Sequence, residues 1–269
     1  MKLSRNTVRV LAVTLIAGSS LFITSCGKNK TTEATNAAAA EQRLKAAGWN
    51  DRIAAAARFR MEADKRRCLC AGLALLDALE ERGVRPSALL KTQDGKPFLE
   101  KDPGIHFNLS HSGNYAVCAV SEQEVGIDIQ EIRDPGESLV KYCCTENERK
   151  RILESSHPAA VFTVVWSWKE AFMKMTGQGL RIAPKEIEVL LPQDAEEEIR
   201  RAMERSSAKA GDGAGAERLS GKLPLRVSRA ELRPAGKEMS GFCPEMNLYE
   251  AILGDLPVCV CEGKLICQA

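Results

Sequence analysis

A change in hydrophobic period divides this chain and restricts the folds open to it. Leucines recur at helical spacing over residues 69–79, which predicts a long amphipathic helix. Between Ile105 and Ile132 the pattern changes to that of strands, with short apolar runs that predict an antiparallel meander. Pro158 opens and Gly177 closes a second helical stripe, and strand-like runs return towards the C-terminus. This repeated order predicts an α+β protein with two similar halves.

The predicted halves occupy residues 49–150 and 151–269. Within the second half, residues 194–222 are charged and rich in alanine and glycine. They are predicted to form an insertion that combines a helix with a surface loop.

The N-terminal segment, residues 1–48, admits two interpretations. A basic start, an apolar stretch from Val10 to Ile23 and a sequence box ending in Cys26 are typical of a bacterial lipoprotein signal. The run from Val8 to Ile16 is also apolar on both faces and β-branched, which is typical of a buried first strand. Residues 28–48 would then be a linker or a weak helix. The sequence pattern leaves both interpretations open.

Composition excludes one class of partner and favours free thiols. The 269 residues include 38 basic and 36 acidic side chains, and the net charge of +2 predicts no nucleic-acid binding. Any anion-binding site must therefore be local. The ten cysteines form no C-x-x-C pair, and only three histidines accompany them. This argues against zinc sites and disulfide frameworks and favours buried free thiols.

Asp128 is a lone carboxylate inside the apolar run Ile127–Ile129. Burial of an unpaired carboxylate is unfavourable, so it needs a metal, a cation or a strand end open to solvent. A strand-end carboxylate that accepts hydrogen bonds from backbone donors is an equal alternative to a ligand. The neighbouring Gly126 would let another group approach closely.

Glu170 and Lys174 are four residues apart on the predicted helix, on the face opposite its core-facing stripe, together with Thr163 and Ser167. Taken alone, Glu170 and Lys174 are best explained as a solvent-exposed ion pair. Together with Lys96 and His111, however, these residues favour a binding site over a surface ion pair. Two carboxylates that share a cation, beside lysine and histidine donors, suit a pyrophosphate bound through Mg²⁺.

Three segments then carry a family resemblance: Phe107–Ser112 (FNLSHS), Val125–Ile129 (VGIDI) and Trp166–Lys174 (WSWKEAFMK). In this order, with Gly-Lys-Pro upstream at 95–97, they resemble the surfactin-synthetase type of 4′-phosphopantetheinyl transferase. The resemblance covers residues 50–190 well. It implies a pseudo-twofold α+β fold with coenzyme A in the cleft between the halves. It also implies a Mg²⁺-dependent enzyme that moves phosphopantetheine to a serine of an acyl or peptidyl carrier protein, releasing 3′,5′-ADP.

The resemblance further implies residue roles. Asp128 and Glu170 would ligate Mg²⁺, and Glu170, or a water it holds, would act as base toward the carrier serine. Lys174 would stabilise the charge that develops on the leaving 3′,5′-ADP. Contacts to coenzyme A are expected from Arg52, Arg67, Lys96, Ser110, His111 and Lys169.

Two positions depart from the family pattern. Many relatives have a second acid two residues after the aspartate, where this chain has Gln130. Water or the carbonyl of Gln130 would then complete the metal's ligand shell. Ala55 stands where some relatives have a second phosphate-binding lysine. These departures leave open a degenerate homologue that binds coenzyme A without turnover.

Two further alternatives concern location and chemistry. A non-enzymatic lipoprotein anchored to a membrane through Cys26 leaves the three motifs unexplained. A cysteine hydrolase using Cys118 and His111 lacks a visible activating feature at the apolar Cys118 position. Because coenzyme A and carrier proteins are cytosolic and scattered thiols suit reducing conditions, we expect a cytoplasmic protein. An exported lipoprotein is the alternative.

Overall fold

The computed structural model describes residues 9–15, 38, 40–113, 115–201, 204, 226–235, 246–253 and 256–263. The box ending in Cys26 lies outside these residues. So does most of the predicted 194–222 insertion, of which 194–201 and 204 are described.

The first half is an antiparallel sheet covered by one long helix. In chain order its elements are β1 (Arg9–Leu15), α1 (40–46), α2 (Asn50–Ala57), α3 (Glu62–Glu81), β2 (Leu89–Lys91), β3 (Pro97–Leu99), β4 (His106–Ser112) and β5 (Tyr115–Ser121). The sheet order is β1-β5-β4, and β2 and β3 form a separate hairpin. Helix α3 packs on the sheet, and its leucines join Phe107 in the core of this half.

The second half repeats this plan. Its elements are β6 (Glu124–Ile129), α4 (Gly136–Cys143), α5 (Glu146–Glu154), α6 (Pro158–Thr176), β7 (Ile187–Leu190), α7 (195–201), β8 (Arg226–Val227), β9 (Glu231–Pro234), β10 (Met246–Leu253) and β11 (Leu256–Gly263). The sheet order is β6-β11-β10-β8, and β7 pairs with β9. Helix α6 packs on β6 and β11, as α3 packs on β1 and β5.

The correspondence between the halves extends to the strand pairs. Strand β1 pairs with β5, and β6 pairs with β11, in each case joining the first strand of a half to its last. A small two-stranded sheet, β2–β3 or β7–β9, follows each long helix. The predicted α+β architecture with two similar halves is therefore confirmed, but the halves of the structure meet between β5 and β6 rather than at residue 150.

Residues Arg9–Leu15 form a strand, as one of the two interpretations of the N-terminal segment predicted. Strand β1 runs antiparallel to β5, from Arg9 opposite Val120 to Leu15 opposite Tyr115. This agrees with the strand predicted over Val8–Ile16. Helix α1 lies within the segment predicted to be a linker or weak helix.

The predicted meander is wrong in its third strand. Strands β4 and β5 pair as expected, but β6 leaves them and pairs with β11 in the other sheet. Ile127 and Ile129 pack across the space between the two sheets, against residues of β5 that include Val117. A strand's alternation predicts which side chains share a face, but it does not identify the neighbouring strand.

Helix α6 begins at Pro158 and ends before Gly177, whose φ of +73° provides the left-handed cap. The face opposite its predicted stripe is not open to solvent. Thr163 and Ser167 are buried, because β6, β11, α5 and β7 enclose the helix. This burial changes the environment in which Glu170 and Lys174 lie.

The seven described cysteines are free and buried, as predicted: Cys68, Cys70, Cys118, Cys143, Cys144, Cys259 and Cys261. Among the described helices, none combines the length and apolar character needed to cross a bilayer.

Candidate active site

Gly126 lets the backbone of α6 press onto β6. A Cβ at this position would lie 1.9 Å from the Ala171 carbonyl oxygen and 2.4 Å from the Met175 nitrogen, so only glycine fits. Because alternate strand residues share a face, Asp128 points to the same side as Gly126. The close approach therefore places the last turns of α6 beside Asp128.

The ammonium of Lys174 joins the two halves at this point. Its Nζ donates to Asp128 Oδ1 at 2.6 Å and to Ser110 Oγ at 3.1 Å, and it lies 3.8 Å from Glu170 Oε2. The Ser110 hydroxyl itself donates to Asp128 Oδ1 at 2.8 Å. The structure thus brings four of the predicted site residues together, and Glu170–Lys174 is not a simple surface pair.

The two carboxylates are more buried than ordinary surface acids. Asp128 is only 4% exposed, and its Oδ2 is buried without a hydrogen-bond partner among the described residues. Burial raises the pKa of Glu170, and the Asp128 charge raises it further, while the Lys174 charge opposes the shift. An orphaned carboxylate oxygen beside a second, desolvated carboxylate is a favourable place for a cation.

The donors suit Mg²⁺ held partly by substrate. Asp128 and Glu170 offer carboxylate oxygens, and the half-buried Gln130 follows two residues after Asp128. In the part of the chain that the structure describes, no group of three or more His, Cys, Asp or Glu side chains is poised around one metal. Two carboxylates with an amide or carbonyl oxygen therefore fit a hard cation that also needs phosphate oxygens and waters, not a closed protein cage.

Positive charge gathers around His111 on the first-half side. Partial burial of the imidazole lowers the pKa of His111, and the charges of Arg67, Lys174 and Arg52 lower it further. Arg67 donates to the carbonyl of Gly113, in the turn after β4, at 3.2 Å. These groups create a local positive field of the kind that attracts phosphates.

Arg52 belongs to this region but is already engaged. Its Nε and one terminal nitrogen donate to the Cys68 carbonyl at 3.2 and 3.0 Å, with the side chain lying against Gly72 of α3. Burial lowers the pKa of Arg52. Only the remaining N–H groups of this guanidinium would therefore be available to bind a phosphate.

The side chain of Lys96 reaches the C-terminal end of α6 at Met175, the residue after Lys174. Its Nζ donates to the Met175 carbonyl at 2.6 Å and to Glu124 Oε2 at 2.5 Å. Burial lowers the pKa of Lys96, against the opposing charge of Glu124. Burial also disfavours the Glu124 carboxylate, but bonds from His106 and Lys96 prevail and lower its pKa to about 2.

Lys169 does not join the cluster, which corrects the expected contact with coenzyme A. The residue is fully buried, and its Nζ donates to the Cys143 carbonyl at 2.8 Å and to Glu148 Oε2 at 2.6 Å. Adjacent helical residues point about 100° apart, so Lys169 faces α5 while Glu170 faces β6. Lys169 ties α6 to α5 instead.

Glu148, the partner of Lys169, was not anticipated from the sequence. Its carboxylate also accepts from the backbone N–H groups of Thr145 and Val189, each at 2.7 Å. The available signal was the Thr-x-x-Glu capping box at the start of α5, which the structure forms in full.

Cys118 does not support the hydrolase alternative. It is fully buried in β5, and this burial raises the pKa of its thiol. A thiol that resists ionisation in an apolar interior is a poor nucleophile.

A cavity of about 700 Å³ opens between α4, α5 and the first turn of α6. Its lining includes the apolar side chains of Ile132, Val140 and Ile152. None of the predicted site residues lines it, so the cavity and the polar cluster are separate features.

Two family models match consecutive parts of the chain. Residues 124–217 match the 4′-phosphopantetheinyl transferase superfamily, and residues 48–123 match the model described as 4′-phosphopantetheinyl transferase, N-terminal. The division between the matches falls between β5 and β6, where the two structural halves meet. The fold, the site and the family matches together place this chain in a class of transferases.

Individual relatives agree with these matches. A 4′-phosphopantetheinyl transferase of Bacillus subtilis is 31% identical over 160 residues, covering 57% of this chain and 71% of that protein. The transferase psf-1 of Bacillus pumilus is 35% identical over 157 residues, or 56% of this chain and 66% of that protein, slightly under two thirds. The chain belongs to the 4′-phosphopantetheinyl transferase family.

Among solved structures, the holo-[acyl-carrier-protein] synthase of Thermotoga maritima aligns with a TM-score of 0.35 at 17% identity. That alignment covers 52% of this chain and 63% of the other.

Proposed function

We propose that this chain transfers the 4′-phosphopantetheine group of coenzyme A to a serine of an acyl or peptidyl carrier protein. The reaction would depend on Mg²⁺ and release 3′,5′-ADP. The observation that carries the proposal is the meeting of Asp128, Glu170 and Lys174 beside Ser110. The relatives named as 4′-phosphopantetheinyl transferases support it.

Asp128 and Glu170 would hold Mg²⁺, with Gln130 contributing at most a neutral oxygen. When bound there, the ion would neutralise charge on the phosphate oxygens of coenzyme A. Within the described part of the chain Asp128 Oδ2 has no hydrogen-bond partner, so it is the oxygen most open to this role.

Lys174 would act on the leaving group. Phosphoryl transfer relies mainly on positioning and charge neutralisation, because the protein forms no covalent bond. Ser110 and Asp128 hold the Lys174 ammonium in one place before substrate arrives. Its positive charge would then oppose the negative charge that grows on 3′,5′-ADP as the P–O bond breaks.

Glu170 would accept the proton of the carrier serine, directly or through one water. The serine oxygen forms a bond to the phosphorus that carries pantetheine, the bond from that phosphorus to 3′,5′-ADP breaks, and the proton passes to Glu170. A raised pKa makes the Glu170 carboxylate a stronger base than an ordinary glutamate.

The phosphates of coenzyme A would contact the basic groups of the first half: His111, Arg67 and Arg52. Lys96 lies at the end of α6, where a phosphate would compete with Glu124 for its ammonium. Ser110 would be shared, since it already touches both Asp128 and Lys174.

We also propose that the protein works in the cytoplasm. The seven described thiols are free and buried, and β1 occupies a place in the first sheet. A β1 strand paired along its length with β5 is integral to the first half. Mass analysis of the protein from its native host would test this, because diacylglycerol on Cys26 would overturn it.

Transfer can be tested directly by mass. The purified chain would be incubated with coenzyme A, Mg²⁺ and a panel of apo acyl and peptidyl carrier proteins, with chelator-treated samples as controls. We expect at least one carrier to gain the mass of phosphopantetheine, only when metal is present. If no carrier gains this mass while coenzyme A still binds, the chain is a homologue without turnover.

A further inference from the structure

Strands β4 and β6 lie side by side but belong to different sheets, and no backbone ladder joins them. Side chains make the junction instead. Asn108 Oδ1 accepts from the Ile127 N–H at 3.0 Å, Ser110 Oγ from the Ile129 N–H at 3.3 Å, and Ser112 Oγ from the Glu131 N–H at 2.9 Å. We name these three hydrogen bonds the seam.

The seam has a regular geometry. Its acceptors are alternate residues of β4, and its donors are alternate residues along β6 and its continuation, always 19 residues apart. Alternate residues of a strand share one face, so one face of β4 meets one edge of β6 throughout. A constant offset means that the two strands run in the same direction in a single register.

The middle bond of the seam lies in the active-site cluster, and the outer two do not. Ser110 touches both Asp128 and Lys174, whereas Asn108 and Ser112 accept from the backbone of β6 and of its continuation. Asn108 is 7% exposed and Ile127 is fully buried, so solvent has little access to the N–H group that Asn108 satisfies.

We propose that Asn108 and Ser112 are positioning residues for the transfer reaction, because they hold β6 in the register that brings Asp128 to Ser110 and Lys174. This proposal rests on the proposed function. The basic groups of the first half lie on α2, α3 and β4, and Asp128, Glu170 and Lys174 lie on β6 and α6. The seam sets the distance between these two sets.

The proposal predicts a particular kinetic effect. Without a seam bond, β6 can shift against β4 while the first-half phosphate contacts stay in place. Small displacements of reacting groups can lower turnover by about 10- to 100-fold. We therefore expect Asn108→Ala and Ser112→Ala to lower kcat by that range and to change KM for coenzyme A by less than about threefold.

Conservative variants and a matched control separate positioning from general stability. Ser112→Thr keeps the hydroxyl and should restore most of kcat. Ser228→Ala removes a serine that also accepts a backbone N–H, from Ala230 at 3.0 Å, but within the second half. It should reduce stability without lowering kcat at a temperature where the protein is folded.

Amide hydrogen exchange by NMR provides a readout independent of activity. In the wild type the Ile127 N–H should be protected, and Asn108→Ala should accelerate its exchange more than that of other β6 amides.

If the wild type transfers nothing, the proposed function fails, but hydrogen exchange still reports whether the seam forms. If the wild type is active and Asn108→Ala loses protection while keeping full kcat, the positioning role is wrong. Equal losses in Ser112→Thr and Ser112→Ala would contradict it as well.

Discussion

The two halves share an architecture, but a glycine in each half packs against a different kind of group. In the second half Gly126 lies on strand β6 and admits the backbone of α6, so closely that a Cβ there would be 1.9 Å from the Ala171 oxygen. In the first half Gly72 lies on helix α3 and admits the side chain of Arg52, whose Nε would be 2.7 Å from a Cβ. A backbone cannot move aside as an arginine side chain can.

This difference matches the chemistry assigned to each half. Close backbone packing in the second half fixes Asp128, Glu170 and Lys174 against one another, as the proposed transfer would require. The first half presents Arg52 and its basic neighbours on side chains that can adjust to a phosphate. On the proposed function, the second half would position the reacting groups and the first half would bind coenzyme A.

The largest effect is expected from removal of the shared carboxylate. Asp128→Ala should lower magnesium-dependent transfer by about 100- to 1000-fold, because it removes a proposed metal ligand and the partner of Lys174. Asp94→Ala is the matched control, since Asp94 forms an exposed ion pair with Arg181. Both variants would be compared by their initial rates at saturating Mg²⁺. Comparable rates would show that Asp128 has no special role in the reaction.

A pair of glycine substitutions tests the packing difference itself. Gly126→Ala should lower the free energy of unfolding by about 3 kcal/mol or more, because backbone atoms occupy the Cβ position. Gly72→Ala should lower it by less, about 1 to 2 kcal/mol, because Arg52 can move aside but gives up its bonds to the Cys68 carbonyl, while alanine favours the helix. Urea denaturation gives both values. Equal losses would show that the halves are packed alike.

The pH dependence of stability separates two glutamates with opposite pKa shifts. Folded Glu170 holds its proton more tightly than the unfolded chain does, so wild-type stability falls as pH rises through its raised pKa. Glu170→Gln should therefore be more stable than the wild type at neutral pH. The difference should vanish below the ordinary carboxyl pKa of about 4.3.

Glu124→Gln is the opposite case and serves as the control. The pKa of Glu124 is lowered to about 2, so its carboxylate stabilises the fold above the ordinary carboxyl range. That stability is lost as pH falls through the lowered pKa. The variant should be less stable than the wild type at neutral pH, and the same sign for both glutamates in urea titrations would refute the assignment.

The smallest effect is expected at Gln130. Gln130→Glu adds negative charge beside the proposed metal position and should lower the Mg²⁺ concentration for half-maximal rate several-fold. Gln130→Ala should be mild by comparison. If Gln130→Ala loses its magnesium response while Asp128→Ala retains one, the ligands are wrongly assigned.

Much of this arrangement could be predicted from the sequence because it rests on local patterns. Pro158 and Gly177 mark the ends of α6 through backbone preferences that hold in any context. The family resemblance of the three motifs identified Asp128, Glu170, Lys174 and Ser110, which the structure brings together.

The remainder depends on tertiary partners that no local pattern encodes. The period of β6 predicts a strand but not its pairing with β11. Lys169 lies next to Glu170 in the motif, yet its ammonium is paired with Glu148 on another helix. The polar alternation of Asn108, Ser110 and Ser112 was visible in the sequence, but its meaning needed the position of β6.

The division of labour between the halves is tested most directly by measuring coenzyme A binding and turnover on the same two variants. Calorimetric titration of coenzyme A would be combined with transfer rates for Lys174→Ala and Arg67→Ala. Lys174→Ala should keep its affinity for coenzyme A within about threefold and lose most of kcat, because its interaction belongs to the transition state. Arg67→Ala should weaken binding and leave kcat nearly unchanged. If Lys174→Ala weakens binding as much as it lowers turnover, Lys174 is an ordinary phosphate anchor and the account is wrong.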